Sequence, residues 1–207
     1  MTILLLGGTG RTSTQIAGLL DRASIAYILA SRSSKECKFD WLDESTYDNP
    51  FSKNAGITSV YLIAPAVTDI FTPMKKFIDL AKHNGVTRFG LLSSSALEAG
   101  GPAHGKVHEY LVGLGVEYAV LRPTWFMENF SEEQRAKTIR EEGKVYSAAE
   151  DGRIPWVSVE DIAALGFRAL VDEKSMNKDP VILGPELLSY DDVSCCQTFA
   201  ESCIDTA

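Results

Sequence analysis

The densest chemical signal in the chain lies near its amino terminus, in Gly7-Gly8-Thr9-Gly10-Arg11-Thr12-Ser13. Glycine has no Cβ, so such a run turns tightly and lets backbone N–H groups come close to an anion. The loop follows the apolar run Ile3–Leu6 and opens a helical pattern at Thr12, and a helix start adds partial positive charge. Strand, glycine loop and helix in that order form the context of a pyrophosphate cradle, with Gly7, Gly8, Thr9, Gly10, Arg11 and Thr12 as its members. Counted as G-x-G-x-x-G from Gly8, the third glycine position holds Ser13. That position serves close helix–strand packing, which a small residue also permits. The alternative is a plain glycine-rich turn.

A second apolar run over 26–30 ends in Ala30-Ser31-Arg32-Ser33-Ser34. Sites for NADH place an acid about 20 residues past the glycines, on the ribose hydroxyls. No acid stands between Asp21 and Glu36 here. Arg32 instead offers a fork of donors to a 2′-phosphate, and Ser31 or Ser33 add hydroxyls. The pattern therefore predicts NADPH, with a solvated surface arginine as the alternative. Asp40 and Trp41 fall near the adenine in this topology, or are a strand-end acid and a core-edge aromatic. Pro65, just past the apolar run 59–63, completes the candidate cofactor set with Lys106.

The usual acid of carbonyl reduction is absent. Short-chain dehydrogenases use Tyr-x-x-x-Lys, whose tyrosine protonates a developing alkoxide. None of the seven tyrosines has Lys four residues later. Either the chain does no chemistry, or its chemistry needs no such acid. Reduction of an iminium meets the second condition: hydride adds to a carbon that is already electrophilic, a neutral amine results, and no oxyanion forms. Lys106 is the candidate catalytic residue, holding a nicotinamide ribose or shaping the local field; the alternative is a surface lysine near a helix start. His104 and His108 flank it, and His104 has the better position for a proton role.

The elements that must position these groups alternate along the chain. Helical patterns cover 12–22, 70–83, 103–114, 132–142 and 159–172, and another begins near Tyr190. Strand-like runs cover 3–6, 26–30, a short piece at Phe39, 59–63, 87–92, 116–121, 155–159 and 180–183, with partial helix over 43–53. This is an α/β pattern of the Rossmann type, a doubly wound parallel sheet. The regular alternation assigns 1–125 to a dinucleotide-binding core and 126–207 to a partial substrate lobe intertwined with it. Of 207 residues, 45% are hydrophobic and 23% charged, an ordinary globular balance. A net charge of −8 argues against nucleic acid as a partner. The first apolar run is too short for a signal peptide or membrane span. Cys37, Cys195, Cys196 and Cys203 show no metal or disulfide spacing, which fits a reducing, cytoplasmic setting.

Several segments together resemble a known family. The glycine loop, Ala30-Ser31-Arg32-Ser33-Ser34 and Phe39-Asp40-Trp41-Leu42-Asp43 are similar to NmrA-like, atypical short-chain dehydrogenases. Gly100-Gly101-Pro102-Ala103, the stretch Leu121-Arg122-Pro123-Thr124-Trp125-Phe126-Met127-Glu128-Asn129-Phe130, and Val145-Tyr146-Ser147-Ala148 look like the ergot alkaloid dehydrogenases that yield agroclavine or festuclavine. The resemblance runs from Met1 to about Val193. It implies NADPH-dependent reduction of a cyclic iminium derived from chanoclavine-I aldehyde, with a thiol adduct such as that of glutathione assisting beforehand. It also implies that Arg32 holds the 2′-phosphate, that Pro123 and Thr124 flank the nicotinamide, and that Trp125, Phe126, Met127 and Asn129 line the substrate side. Without the resemblance, Trp125-Phe126-Met127 reads as core.

The family is expected to run past position 207, so the substrate lobe reads as truncated, with a genuine short final helix as the alternative. The other functional readings are a non-catalytic, NmrA-like dinucleotide-sensing regulator and an inactive truncated product.

Overall fold

Ile3-Leu4-Leu5-Leu6 is apolar on both alternating faces, as a strand covered on both sides must be. In a computed structural model, which describes residues 1–53, 56–131 and 133–193, this run forms β1 (Thr2–Leu6), and residues 3–6 are fully buried. The other strands are β2 (Tyr27–Ala30), β3 (Ile57–Leu62), β4 (Arg88–Leu92), β5 (Glu117–Pro123) and β6 (Val181–Ile182). All pair in parallel, in the order β2-β1-β3-β4-β5-β6. The helices are α1 (Arg11–Arg22), α2 (Asn49–Lys53), α3 (Phe71–His83), α4 (His104–Gly113), α5 (Glu133–Glu142) and α6 (Val159–Val171). The arrangement is Rossmann-like. Strand order reverses between β1 and β3, and ligands of such sheets bind beyond the strand ends at that reversal.

Helices cover both faces. On one, Leu4, Leu6, Val60, Leu62, Phe89, Leu91 and Val120 pack with Met74, Phe77 and Ile78 of α3 and Val107 and Leu111 of α4. On the other, α1 and α6 approach so closely that a Cβ on Gly166 would lie 2.9 Å from Ile16 Cδ1. Arg88 fastens the far end of α6. It is buried, pairs with Glu117 at 2.6 Å, and donates to the carbonyls of Leu170, Asp172 and Glu173.

The chain forms two compact units. The first comprises Met1–Pro123 with Glu160–Ile182, and the second Thr124–Val159 with the chain from Leu183 onward. The regular alternation suggests a boundary near 125 with the later lobe intertwined with the core; α6 packs on Ile16 and Leu121 over the sheet's second face, and β6 pairs with β5 at the sheet edge. In the second unit, Phe130, Trp156, Tyr190 and Val193 form a small core, with ring centroids of Phe130 and Trp156 4.8 Å apart.

Two expected strands do not form. Around Phe39 there is one bridge, Ser31–Lys38, and the backbone closes on itself through Ser31 N–H to Cys37 O and Phe39 N–H to Ser31 O. Over 155–159 only the single bridge Phe126–Val157 appears, since Pro155 lacks a donor and Trp156 turns into the aromatic core. Residues 190–193 are helical as expected. The remainder of the expected span, with Cys195, Cys196 and Cys203, lies outside the described residues. No helix among the described residues is long and apolar enough to cross a membrane.

Candidate functional site

A cavity of about 680 Å³ lies against the loops that follow β1, β2 and β3. Gly7, Thr9, Gly10, Ser31, Arg32, Asp40 and Pro65 all line it, together with Trp41, Ile63 and Val67. The cavity thus unites nine residues singled out from sequence, these seven with Ser33 and Trp41.

Its glycines divide the labour. Gly7 has φ +62°, and a Cβ there would sit 3.2 Å from Ile63, so this turn needs glycine on both counts. Gly10 donates its N–H to the carbonyl of Gly7 at 2.7 Å, which closes the turn. Gly8 faces β2, where a Cβ would meet Leu29 at 3.0 Å, and its N–H donates to Ala30 O at 3.0 Å. The N–H groups of Gly8 and Gly10 are therefore engaged within the protein. The donors available to an anion are those a helix start leaves without intrahelical partners, in the first turn of α1. Thr12 itself is buried, and Tyr61, fully buried beside it, has its hydroxyl pKa pushed up by that burial. Ser13, the departure from the glycine pattern, is fully buried and donates Oγ to Leu6 O at 2.8 Å, stitching α1 to β1.

Arg32 stands exposed in the turn after β2, where Ser34 N–H donates to Ser31 O at 3.3 Å. Its guanidinium has no ion pair or hydrogen bond among the described residues. Ser31 and Ser33 place their hydroxyls 3.5 Å apart beside it. Across the cavity, Trp41 is held by Nε1 donating to Ile63 O at 2.9 Å and by an edge contact with Phe39. Asp40 Oδ1 accepts the N–H of Leu42 at 3.0 Å. Tyr47 braces this wall through a hydrogen bond to Trp41 O, and burial raises its pKa to about 12.

Lys106 is exposed in the first turn of α4 and does not line the cavity. Its charge reaches Asp69, whose carboxyl is held below the usual range first by Thr72 and last by Lys106. Just before it, Ala103 adopts φ 49°, ψ −112°, a strained backbone for a residue with a Cβ. Burial lowers the pKa of His104, and that of His108 is lowered by burial and by Arg122, against Asp179. Arg122 pairs with Asp179 at 2.8 Å and donates to Ser95 O at 3.0 Å, fixing β5 just ahead of buried Pro123.

In the second unit, Thr124 donates its hydroxyl to Pro155 O. Trp125 is 51% exposed, with its ring 6.4 Å from that of Trp156. Phe126 and Asn129 are half-buried, while Met127 packs on the Phe130–Trp156–Tyr190 core. Of the four predicted substrate residues, Trp125 is the exposed one, and Met127 belongs to the packing of the small core. Sequence reading passed over Glu128, half-buried in the same turn, with Oε1 accepting the N–H of Val159 at 2.9 Å. The signal was present: it is the one acid in an otherwise uncharged Pro123–Phe130 run.

No family model matches the sequence. Curated relatives do. The chain is 50% identical over 206 residues to agroclavine dehydrogenase of Claviceps fusiformis, covering 94% of this chain and 71% of that protein. The chain belongs to the agroclavine and festuclavine dehydrogenase family. Festuclavine dehydrogenase of Aspergillus fumigatus is 42% identical over 207 residues, covering 94% and 71%. Among solved structures, an NADPH-dependent quinone oxidoreductase of Escherichia coli, complexed with NADPH, superposes with a TM-score of 0.76 at 21% identity, covering 97% of this chain and 75% of that one. At that identity the likeness speaks for the Rossmann-like fold, one used by oxidoreductases.

Proposed function

We propose that this protein is an NADPH-dependent oxidoreductase of clavine alkaloid biosynthesis that reduces a cyclic iminium derived from chanoclavine-I aldehyde. The observation that carries the cofactor is the meeting, in one cavity, of the bare turn at Gly7 and Gly10 with the exposed guanidinium of Arg32. The donors at the start of α1 and the turn at Gly7 hold the diphosphate, and Arg32 with Ser31 and Ser33 holds the 2′-phosphate. Asp40 and Trp41 take the adenine, and Pro65 closes the cavity wall. Lys106 supports the nicotinamide ribose and adds positive field there. When bound, the cofactor supplies hydride to the iminium carbon. The absent Tyr-x-x-x-Lys fits this chemistry, because reducing an iminium leaves a neutral amine and calls for no acid.

Membership in the family supports an indole alkaloid as substrate, and Trp125, with Phe126, Met127 and Asn129, supplies an aromatic surface of suitable kind. A thiol adduct of the aldehyde, as with glutathione, precedes ring closure in this reading. Incubating the chain with NADPH, chanoclavine-I aldehyde and glutathione should consume the cofactor and release the tetracyclic amine agroclavine, and the dihydro aldehyde should give festuclavine instead, each identified by mass spectrometry. NADPH binding without turnover would overturn the reductase reading.

A further inference from the structure

Residues 125–130 read Trp-Phe-Met-Glu-Asn-Phe, and the turn they make is bound on both sides within the second unit. Met127 N–H donates to Val157 O at 2.9 Å, and Val157 N–H donates to Trp125 O at 3.0 Å. Glu128 adds a third tie through Oε1, which accepts the N–H of Val159, the first residue of α6. Its other oxygen, Oε2, is buried and has no hydrogen-bond partner among the described residues.

The tie to Val159 alone does not require an acid. A single neutral oxygen caps a helix start as well. Glutamate brings a negative charge into a place where one oxygen has no donor among the described residues, an arrangement that costs stability. Away from water a charge also acts at longer range, because the surrounding dielectric is low. The same turn presents the half-exposed ring of Trp125, backed by Trp156. An aromatic face with an anion three residues along the same turn is a recognition element for an organic cation.

We infer that Glu128 selects a cationic ligand over a neutral one of the same shape at the Trp125 turn. It acts through its field rather than by contact, since Oε2 is buried. The inference rests on the proposed function and sharpens it: the amino aldehyde, the iminium formed from it and the protonated amine product are all cations at neutral pH, whereas a neutral indole of the same shape is not. Hydride delivery discharges the iminium, so this field favours the bound ion more than the transition state. Its loss therefore raises KM and leaves kcat unchanged or higher.

The test is calorimetric binding of two probes to the full chain. One is tryptamine, whose side chain is protonated at neutral pH; the other is the indole bearing an uncharged propyl group at the same carbon. The wild type should prefer tryptamine. Glu128→Gln keeps an oxygen for the Val159 N–H; it should weaken tryptamine about tenfold and leave the propyl indole within about twofold. Glu128→Asp keeps the charge and should retain most of the preference, which decides the matter if the glutamine variant does not fold. Equal weakening of both probes by Glu128→Gln would reduce Glu128 to a helix cap and overturn the inference. So would an unchanged ratio in that variant, a wild type without preference, or loss of the preference in Glu128→Asp. Because the readout is binding, a chain that shows the preference but fails to turn over iminium loses the reductase reading alone.

Discussion

Arg32 and Glu128 are held in opposite ways. The guanidinium stands exposed at the tip of a turn and has no partner among the described residues. The carboxylate is drawn into its unit, with one oxygen tied to Val159 N–H and the other enclosed. The difference separates two kinds of recognition residue. One contributes nothing to the fold and can be altered with only a binding consequence. The other is part of the packing, so fold and selectivity change together unless the substitution keeps its hydrogen bond.

Arg32→Ala should show the largest effect, in binding alone. Losing a charge-assisted fork on a phosphate should weaken NADPH about a hundredfold, leave NADH within about threefold, and leave Tm unchanged. Equal losses for the two nucleotides, measured by titration, would break the assignment. Glu128→Ala should do the reverse. It removes the acceptor for Val159 N–H at a cost of about 1–2 kcal/mol, a Tm drop of several degrees, with NADPH affinity unchanged. Ser13→Ala tests a position that touches only structure. Loss of the Oγ bond to Leu6 O should cost about 1 kcal/mol in urea unfolding and leave NADPH affinity within about twofold.

The smallest effect concerns pH. His104 and His108 have pKa values lowered from 6.5 by burial, so the unfolded chain binds their protons more readily. Their contribution to stability is present above pH 6.5 and is lost as pH falls through the lowered folded values. His108→Gln should flatten the decline just below pH 6.5, and an unaltered pH profile would remove His108 from this account.

Much of this arrangement could be read from one chain. The glycine loop, Arg32 and the missing acid after β2 rest on local order along the sequence, and the cavity brings Gly7, Gly10, Arg32, Asp40 and Pro65 together. What local order could not give was set by partners far away. Phe39 is apolar and strand-like, yet its backbone pairs within its own loop while its ring packs on Tyr47 and Phe77. Gly8 looks like part of the anion cradle by spacing, but β2 already uses its N–H. Glu128 escaped notice because the neighbouring aromatics suggested an apolar wall. The carboxylate's role appears only when Val159, 31 residues on, is brought to it.

The first unit is interrupted: the chain leaves the sheet at Pro123 and rejoins it at Glu160. Residues 124–159, with the chain from Leu183 onward that supplies Tyr190 and Val193 to their core, are thus a cassette set into a single scaffold. Exchanging both segments between relatives would transplant the Trp125–Glu128 turn without disturbing the nucleotide grip. A cut after 125 would instead strip α6 from the sheet and bare the apolar side of Ile16 and Leu121 to solvent, a recipe for inclusion bodies.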